Sequence, residues 1–335
     1  MSELKNIKNN DISLDSSLRP QLWEEYIGQE SIKKNLQILL KAAKQRNEAT
    51  EHLLFYGPAG LGKTTIAHLI AKEIGTQMKI TSGPAIEKVG DLASILTNLS
   101  PKDVLFIDEI HRLNKLIEEI LYPAMENRSL DIIIGKGPSA RTIQLELPPF
   151  TLIAATTRIA MLSSPLRSRF SGGIFRLDFY TKEEIQKILG RSAKILGISL
   201  TKEAGEEIAI RSRFTPRIAN RLLKRSRDFG QINKKERVDE ECVKETLRLL
   251  EIDACGLENS DRRVLETIIN KFGGGPTGLK TIAAACSEDE STIESVYEPY
   301  LMQLGFLERT SKGRVVTQEA YKHLGIRHPA AQKLL

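Results

Sequence analysis

Residues 57–64 read Gly57-Pro58-Ala59-Gly60-Leu61-Gly62-Lys63-Thr64, and no other segment constrains the chain as tightly. They match the spacing G-x-x-x-x-G-K-[ST] at every fixed position. Glycines allow successive backbone N–H groups to turn inward around an anion with no Cβ in the way. In that pattern the Lys63 ammonium reaches the β- and γ-phosphates of a nucleotide, and the Thr64 hydroxyl ligates Mg²⁺. Context supports the string. His52-Leu53-Leu54-Phe55-Tyr56 before it is an apolar run of strand length, and Thr65-Ile66-Ala67-His68-Leu69-Ile70-Ala71 after it is helical in pattern. Strand, glycine loop, helix is the order that aims a helix N-terminus at phosphate. The alternative is a Gly/Pro turn that matches by chance.

A chain of 335 residues exceeds one ordinary core and implies two or three domains. The first half alternates helix and strand signals. Ile32, Leu36, Leu39, Leu40 and Ala43 share one helical face. Val104-Leu105-Phe106-Ile107 and Thr151-Leu152-Ile153-Ala154-Ala155 are further continuous apolar runs, which predict a parallel sheet covered on both faces. From Thr181 the pattern turns helical, beginning with the capping box Thr181-Lys182-Glu183-Glu184 and continuing near 201–211, 216–228 and 239–250. Helices are then expected over 260–270, 277–285 and 291–303. Two short strands follow, Phe306–Arg309 and Arg314–Val316, around Thr310-Ser311-Lys312-Gly313. Three helices and a hairpin make a winged-helix layout. The expected domains are 1–181, 182–252 and 253–335.

Cys242, Cys255 and Cys286 are isolated, with neither metal-ligand nor disulfide spacing, which favours a reducing cytoplasm and no zinc. The polar stretch Met1 to Asp15 lacks the apolar core of a signal peptide, and no apolar run approaches the ~18 residues of a membrane span. A formal charge of +6 is a mild bias toward polyanions that a solvated surface explains equally well.

Val104-Leu105-Phe106-Ile107-Asp108-Glu109 is a strand that ends in two carboxylates, where ligands bind in open α/β sheets. Asp108 is placed to hold Mg²⁺ opposite Thr64, and Glu109 to orient or deprotonate an attacking water. Thr157, in Thr156-Thr157-Arg158 at the end of the next strand, is a candidate contact for the γ-phosphate or that water; a plain strand-end turn is the alternative. In Ser164-Pro165-Leu166-Arg167-Ser168-Arg169-Phe170, Ser164 suits an N-cap and Pro165 the first helical position. That arrangement holds Arg167 and Arg169 on a rigid first turn, from which a guanidinium can stabilise phosphoryl charge, although residue types alone favour a surface salt bridge. Thr215-Pro216-Arg217 repeats the device. A cation at a helix N-terminus opposes the dipole, a conflict that a nearby anion relieves.

Leu130–Ile134 and Thr142–Leu147 flank a Gly/Pro turn and read as a hairpin inserted between Asp108 and Thr157. If it protrudes, Ile132 and Ile134 present an apolar partner surface; if it packs on the domain, they are core. Arg217, Arg221 and Lys224 or Arg225 share a helical face, which reads better as a solvated face or subunit interface than as a DNA contact.

Taken together, several runs resemble the RuvB family of AAA+ ATPases. They are Leu18-Arg19-Pro20, Tyr26-Ile27-Gly28-Gln29, the loop 57–65, Leu105–Arg112, Ala155–Arg158, Ser164–Phe170, Thr215–Leu223, Phe272–Pro276 and Tyr297–Leu301. The resemblance covers nearly all of the chain from residue 18. It implies a large P-loop ATPase domain of the AAA+ class, a small all-helical lid domain and a C-terminal winged-helix head. It also implies an ATP- and Mg²⁺-dependent motor that migrates Holliday junctions. Such motors form hexameric rings around duplex and four-way junction DNA, with RuvA as partner through the hairpin 130–147 and RuvC in a larger complex. Carried over by position, Leu18, Arg19, Tyr180 and Arg217 line the nucleotide site, and Gly60, Gly62, Lys63, Thr64 and Thr65 hold the phosphates. Glu126-Asn127-Arg128 border the nucleotide. Arg169 is an arginine finger offered to the neighbouring subunit's ATP, and Arg309 and Arg314 touch DNA phosphate.

The chain departs from the family pattern at three places. Ala59 stands where a second proline is usual. Phe214 replaces a usual glycine, which implies strain if the backbone there has positive φ. Asn127-Arg128 replace an acidic-aromatic pair, which points to contact through backbone. Two other classes fit an ATPase of this kind. A clamp-loader subunit ends in a helical collar, whereas an origin-binding initiator also carries a winged helix but reads sequence.

Overall fold

The computed structural model describes residues 16–134 and 141–327, and the chain divides into two compact units that meet between Tyr180 and Thr181. The first unit is built on strands β1 (Leu53–Tyr56), β2 (Met78–Ser82), β3 (Val104–Asp108), β4 (Ser129–Ile134), β5 (Arg141–Glu146), β6 (Thr151–Thr156) and β7 (Gly173–Arg176). Five of them form a sheet in the order β2-β3-β6-β1-β7, with every pair parallel. The three apolar runs in the sequence are its three central strands. Leu53, Leu54, Phe55, Leu105, Phe106, Ile153 and Ala154 are all fully buried. Successive residues point to opposite faces, so continuous apolarity requires cover on both. The helix Lys63–Ile74 packs on β3 and β6, and Leu92, Leu96, Ile117 and Leu121 of the helices Val89–Thr97 and Lys115–Glu126 join Leu54, Leu105, Ile107 and Leu152 in one cluster. Each such burial contributes about 1.5–3 kcal/mol, and cutting Phe106 to Ala would cost about 3–5 kcal/mol.

The edge strands β2 and β7 give no such signal. Met78-Lys79-Ile80-Thr81-Ser82 mixes polar and apolar residues and is only half-buried, since an edge strand needs no continuous apolar run. β4 and β5 form a separate antiparallel hairpin, with Ile132 opposite Ile143 and Ile134 opposite Arg141. Leu130 at its base is buried and Leu145 packs beside the sheet core, so one end of the hairpin belongs to the domain. Ile143 is exposed, whereas the side chains of Ile132 and Ile134 lie outside the described residues.

The helix Ser164–Ser168 starts one residue earlier than the spacing suggested. Ser163 is its N-cap, accepting from the Leu166 N–H at 3.1 Å, and Pro165 stands at the second helical position. Either serine can cap. Proline is tolerated throughout the first turn because those N–H groups have no helical partner.

The second unit begins with the expected capping box. The Thr181 hydroxyl accepts from the Glu184 N–H at 3.2 Å, and the Glu184 carboxylate from the Thr181 N–H at 2.8 Å. Four helices follow, Lys182–Ile195, Lys202–Arg211, Pro216–Ile232 and Glu240–Leu249. Next come Asn259–Phe272, Leu279–Cys286 and a helix over 290–303 with a π turn at Ile293–Tyr297. The hairpin β8 (Leu307–Thr310) and β9 (Gly313–Val316) and the helix Gln318–His323 complete the unit. The three helices and the hairpin enclose a core of Val264, Leu265, Ile268, Ile282, Ile293, Leu301, Leu307 and Val316. Gly275 has φ 102° and passes so close to β9 that a Cβ would lie 2.3 Å from the Arg314 carbonyl oxygen. No helix among the described residues is long and apolar enough to cross a membrane.

The turn before Pro216 is unusual. Arg213 and Phe214 both have positive φ, 53° and 52°, a conformation disfavoured for side chains of this size. Burial of Arg213 and partial burial of Phe214 offset the strain. The Arg213 guanidinium closes on the buried Asp261 carboxylate, and Phe214 packs against the winged-helix core. Thr215 precedes the helix but does not cap it; its hydroxyl donates to the Arg213 carbonyl at 2.9 Å.

Candidate active site

The phosphate loop joins the end of β1 to the helix Lys63–Ile74. Gly57, Gly60 and Gly62 have φ of 140°, 84° and 99°, and a Cβ on Gly57 would lie 2.4 Å from the Leu177 carbonyl oxygen. Such a path is open only to glycine. Gly62 stands at the helix N-cap with no side chain bonded across the first turn, so Lys63, Thr64 and Thr65 present their N–H groups at an uncapped end. The buried Lys63 ammonium folds over the loop and donates to the carbonyls of Gly57 at 2.7 Å and Pro58 at 2.9 Å. Tyr180 bonds the loop from the other side: its hydroxyl lies 3.2 Å from the Leu61 carbonyl and 3.2 Å from the Tyr26 hydroxyl. Leu18 is buried, and Arg19 donates to His68 Nε2 at 3.0 Å on the loop's own helix.

Sheet order carries the second half of the site to this loop. β6 lies between β1 and β3, with Tyr56 opposite Thr156 and Ile107 opposite Ala154, so the ends of all three strands reach the same edge. Asp108 ends β3, and Glu109 follows in the left-handed conformation with φ 47°. Gly83 allows that turn, since a Cβ there would lie 2.5 Å from the Glu109 carbonyl oxygen. Thr157 donates to Glu109 Oε2 twice, from its N–H at 3.2 Å and its hydroxyl at 3.0 Å. His111 Nδ1 lies 3.1 Å from the same oxygen and 2.9 Å from the Thr156 hydroxyl, and burial lowers the His111 pKa. The carboxylate is thereby aimed by neighbours from the segments that follow two adjacent strands, β3 and β6. Sequence reasoning gave Thr157 to the phosphate or the water; its partner in the structure is Glu109. It assigned no role to His111 or Tyr26, whose partners Thr156 and Tyr180 lie far away in the chain.

Carboxylate, hydroxyl and ammonium groups around a cradle of backbone N–H groups fit a nucleoside triphosphate, and the oxygen donors Thr64 and Asp108 fit a hard divalent cation.

Arg169 stands at the opposite edge of the sheet. It shares a cleft of about 390 Å³ with Thr50, Glu51, His52, Glu126 and Arg128, which includes residues entering β1, whereas the phosphate loop leaves it. Its guanidinium donates to Glu126 at 3.1 Å and to the Pro165 carbonyl at 2.6 Å, and lies over the Tyr122 ring, 4.2 Å from the centroid. Of the run Glu126-Asn127-Arg128, the structure therefore brings Glu126 and Arg128 to Arg169 and not to the phosphate loop. Arg217 lies in the first turn of the helix Pro216–Ile232, in the second unit.

Models for the Holliday junction DNA helicase RuvB P-loop domain, the RuvB AAA lid domain and the RuvB C-terminal winged helix domain match residues 18–177, 180–253 and 254–325. The chain belongs to the RuvB family. The Holliday junction branch migration complex subunit RuvB of Dehalococcoides mccartyi (strain CBDB1) is 59% identical over 317 residues, 95% of this chain and 90% of that protein. The Thermotoga maritima RuvB Holliday junction branch migration motor superposes with a TM-score of 0.86 at 50% identity, covering 93% of this chain and 100% of that one. A point mutant of Thermotoga maritima RuvB superposes with a TM-score of 0.87 at 50% identity, over 93% of this chain and 99% of the other. The P-loop sheet domain, the helical AAA lid and the winged helix expected from the sequence are those of RuvB proteins.

In this RuvB-family head, both wing arginines turn toward one acid. Glu298, 1% exposed, receives Arg314 Nε at 2.6 Å and also pairs with Arg309, which reaches Glu294 at 3.7 Å. The Arg309 side chain remains 46% exposed and that of Arg314 only 14%. Along the helix Pro216–Ile232 the basic residues are largely paired: Arg221 with Glu258 at 2.6 Å and Arg225 with Asp228 at 3.5 Å.

Proposed function

We infer that this chain is an ATP-driven motor of Holliday-junction branch migration, working in homologous recombination and DNA repair. One observation carries the reading: a nucleotide-binding edge with an oriented Glu109, and a held arginine at the other end of β1. That strand spans ~13 Å at ~3.3 Å per residue. An arginine so placed serves a neighbouring subunit's nucleotide, so the site is complete only in an assembly. A homohexameric ring around duplex DNA satisfies this.

The roles follow from chemistry. Backbone N–H groups of Gly60, Gly62, Thr64 and Thr65 and the Lys63 ammonium hold the phosphates. Lys63 leaves its loop carbonyls for the stronger charged acceptor. Thr64 and Asp108 would hold Mg²⁺, which supplies charge neutralisation at the phosphoryl oxygens. Glu109, aimed by Thr157 and His111, orients the attacking water and takes its proton. Arg169 stabilises the charge that develops on the transferred group, with Glu126 and Arg128 at the same cleft and Asn127 between them in the chain. Leu18, Arg19, Tyr180 and Arg217 border the nucleotide, and Arg217 couples the lid to its state. Residues 1–181, 182–252 and 253–335 act as ATPase, lid and head.

Arg309 meets DNA phosphate directly, Arg314 shapes the same wing surface through the Glu298 that the two share, and a motor that tracks the duplex backbone needs no base readout. The hairpin with Ile132 and Ile134, on which Ile143 is exposed, docks RuvA, and RuvC joins a larger complex. The working compartment is the cytoplasm. A clamp-loader subunit would end in a helical collar, and a winged helix follows the lid here instead. The test is unwinding of a synthetic four-way junction with ATP, with and without RuvA. Partner-stimulated dissociation supports the reading. Sequence-specific duplex binding with little turnover would point instead to an initiator.

A further inference from the structure

Arg169 follows the helix Ser164–Ser168, and two devices hold it. The first fixes the helix. The Ser163 hydroxyl that caps it contacts the carboxylate of the buried Glu118 and lies 3.0 Å from the Tyr122 hydroxyl, which itself donates to Glu118 at 2.7 Å. One buried carboxylate thus ties the cap of the arginine's helix to a tyrosine on the helix Lys115–Glu126. The second device fixes the guanidinium. It lies over the ring of that same tyrosine, 4.2 Å from the centroid, while Glu126 and the Pro165 carbonyl take its two Nη groups.

Of these contacts, Glu126 is an ion partner with a side chain 53% exposed, and an exposed pair is weak and readily exchanged for a phosphate. The Tyr122 ring offers a face that a guanidinium keeps while its edge donors turn to an anion, because stacking uses the plane and hydrogen bonding uses the rim. Arg169 Nε, buried and without a hydrogen-bond partner among the described residues, fits a group held chiefly by stacking.

We propose that Tyr122 is a positioning residue for catalysis in the neighbouring subunit: its ring is the platform on which Arg169 stays aligned after Glu126 yields to the incoming triphosphate, and Glu118 with Ser163 locks that platform to the arginine's helix. The proposal rests on the reading that Arg169 acts in trans. It makes Tyr122 matter to the next subunit's turnover and not to its own nucleotide pocket.

The test uses the full-length protein with junction DNA. Tyr122→Leu is expected to lower the DNA-stimulated ATPase kcat by about tenfold or more with KM for ATP changed by less than about twofold, whereas Tyr122→Phe, which keeps the ring, stays within about threefold of wild type. Mixed rings provide the decisive readout. Tyr122→Leu subunits, with sound pockets, are combined with Glu109→Gln subunits, with sound arginines. Hydrolysis above that of either variant alone supports the proposal. A parallel mixture of Arg169→Ala with Glu109→Gln tests the trans reading itself. Recovery there without recovery for Tyr122→Leu overturns the role of Tyr122 alone. No recovery in either removes the trans reading and the proposal with it. Loss in Tyr122→Phe equal to that in Tyr122→Leu would also overturn it, since the ring is then not the device. Tyr122→Gln, polar but without a π face, repeats the experiment if the leucine variant does not fold.

Discussion

The Arg213 guanidinium closes on the Asp261 carboxylate, a fully buried acid on the first helix of the winged-helix head, and so ties the turn before Pro216 to that head. Arg213 also donates to the Gly256 carbonyl at 3.1 Å and lies 5.2 Å from the centre of the Tyr300 ring, while Asp261 accepts the Glu258 N–H at 2.8 Å. Breaking a buried pair strands a charge. Arg213→Met or Asp261→Asn alone should each destabilise the second unit by about 3–5 kcal/mol. The double variant should lose less than the sum by at least about 1 kcal/mol. Urea unfolding of the four proteins measures this; strict additivity would mean that the pair is not coupled.

Glu109 should be indispensable for turnover but not for binding. Glu109→Gln is expected to lower kcat by about 10²–10⁴-fold with ATP affinity nearly unchanged. Thr157→Val keeps the N–H donor and loses the hydroxyl donor to Glu109, and should lower kcat by about 10–100-fold. Steady-state ATPase assays with parallel nucleotide binding check both. A Thr157→Val enzyme with normal kcat would show that its hydroxyl does not aim the carboxylate.

On the wing, exposure separates the two arginines. Arg309→Ala should weaken binding to all duplex sequences alike and reduce the slope of log affinity against log salt by about 1. Arg314→Ala removes a largely buried partner of Glu298, and should show mainly as lower thermal stability of the head. Anisotropy titrations across a salt series, paired with melting curves, distinguish the two behaviours.

The first unit should lose stability on acidification. His52 accepts the Leu152 N–H at Nδ1 at 2.9 Å and lies 3.1 Å from the Met125 carbonyl through Nε2, an arrangement that requires the neutral ring. Burial pushes its pKa below 6.5, and burial lowers those of His68 and His111 as well. The unfolded chain then takes up protons first, so stability is full above about pH 6.5 and falls as pH drops through that value toward the folded one. The slope is at most about 1.4 kcal/mol per pH unit for each histidine. The only tryptophan, Trp23, is buried in this unit and reports its unfolding. A His52→Gln variant should show a shallower slope; an identical slope would exclude His52 as a source.

Much of this protein was decided by local pattern. The phosphate loop, the acid pair after β3, the central strands, the Thr181 capping box and the succession of sheet, lid and winged helix are each set by neighbours in sequence. Continuous apolarity demands two covered faces, glycine alone takes the loop's dihedrals, and a threonine with a glutamate three residues on closes a helix end. Tertiary structure decided what depends on residues far apart in the chain. The edge strands β2 and β7 carry no pattern because their neighbours, not their own apolarity, recruit them. Thr157 meets Glu109 only because β6 inserts beside β3. Arg169 is kept from its own phosphate loop by the length of β1, and Arg309 and Arg314 share Glu298 because a helix packs under the wing. Local spacing specifies a conformation at contact range, whereas a partner across the fold is chosen by sheet order and packing, which no short window of residues contains.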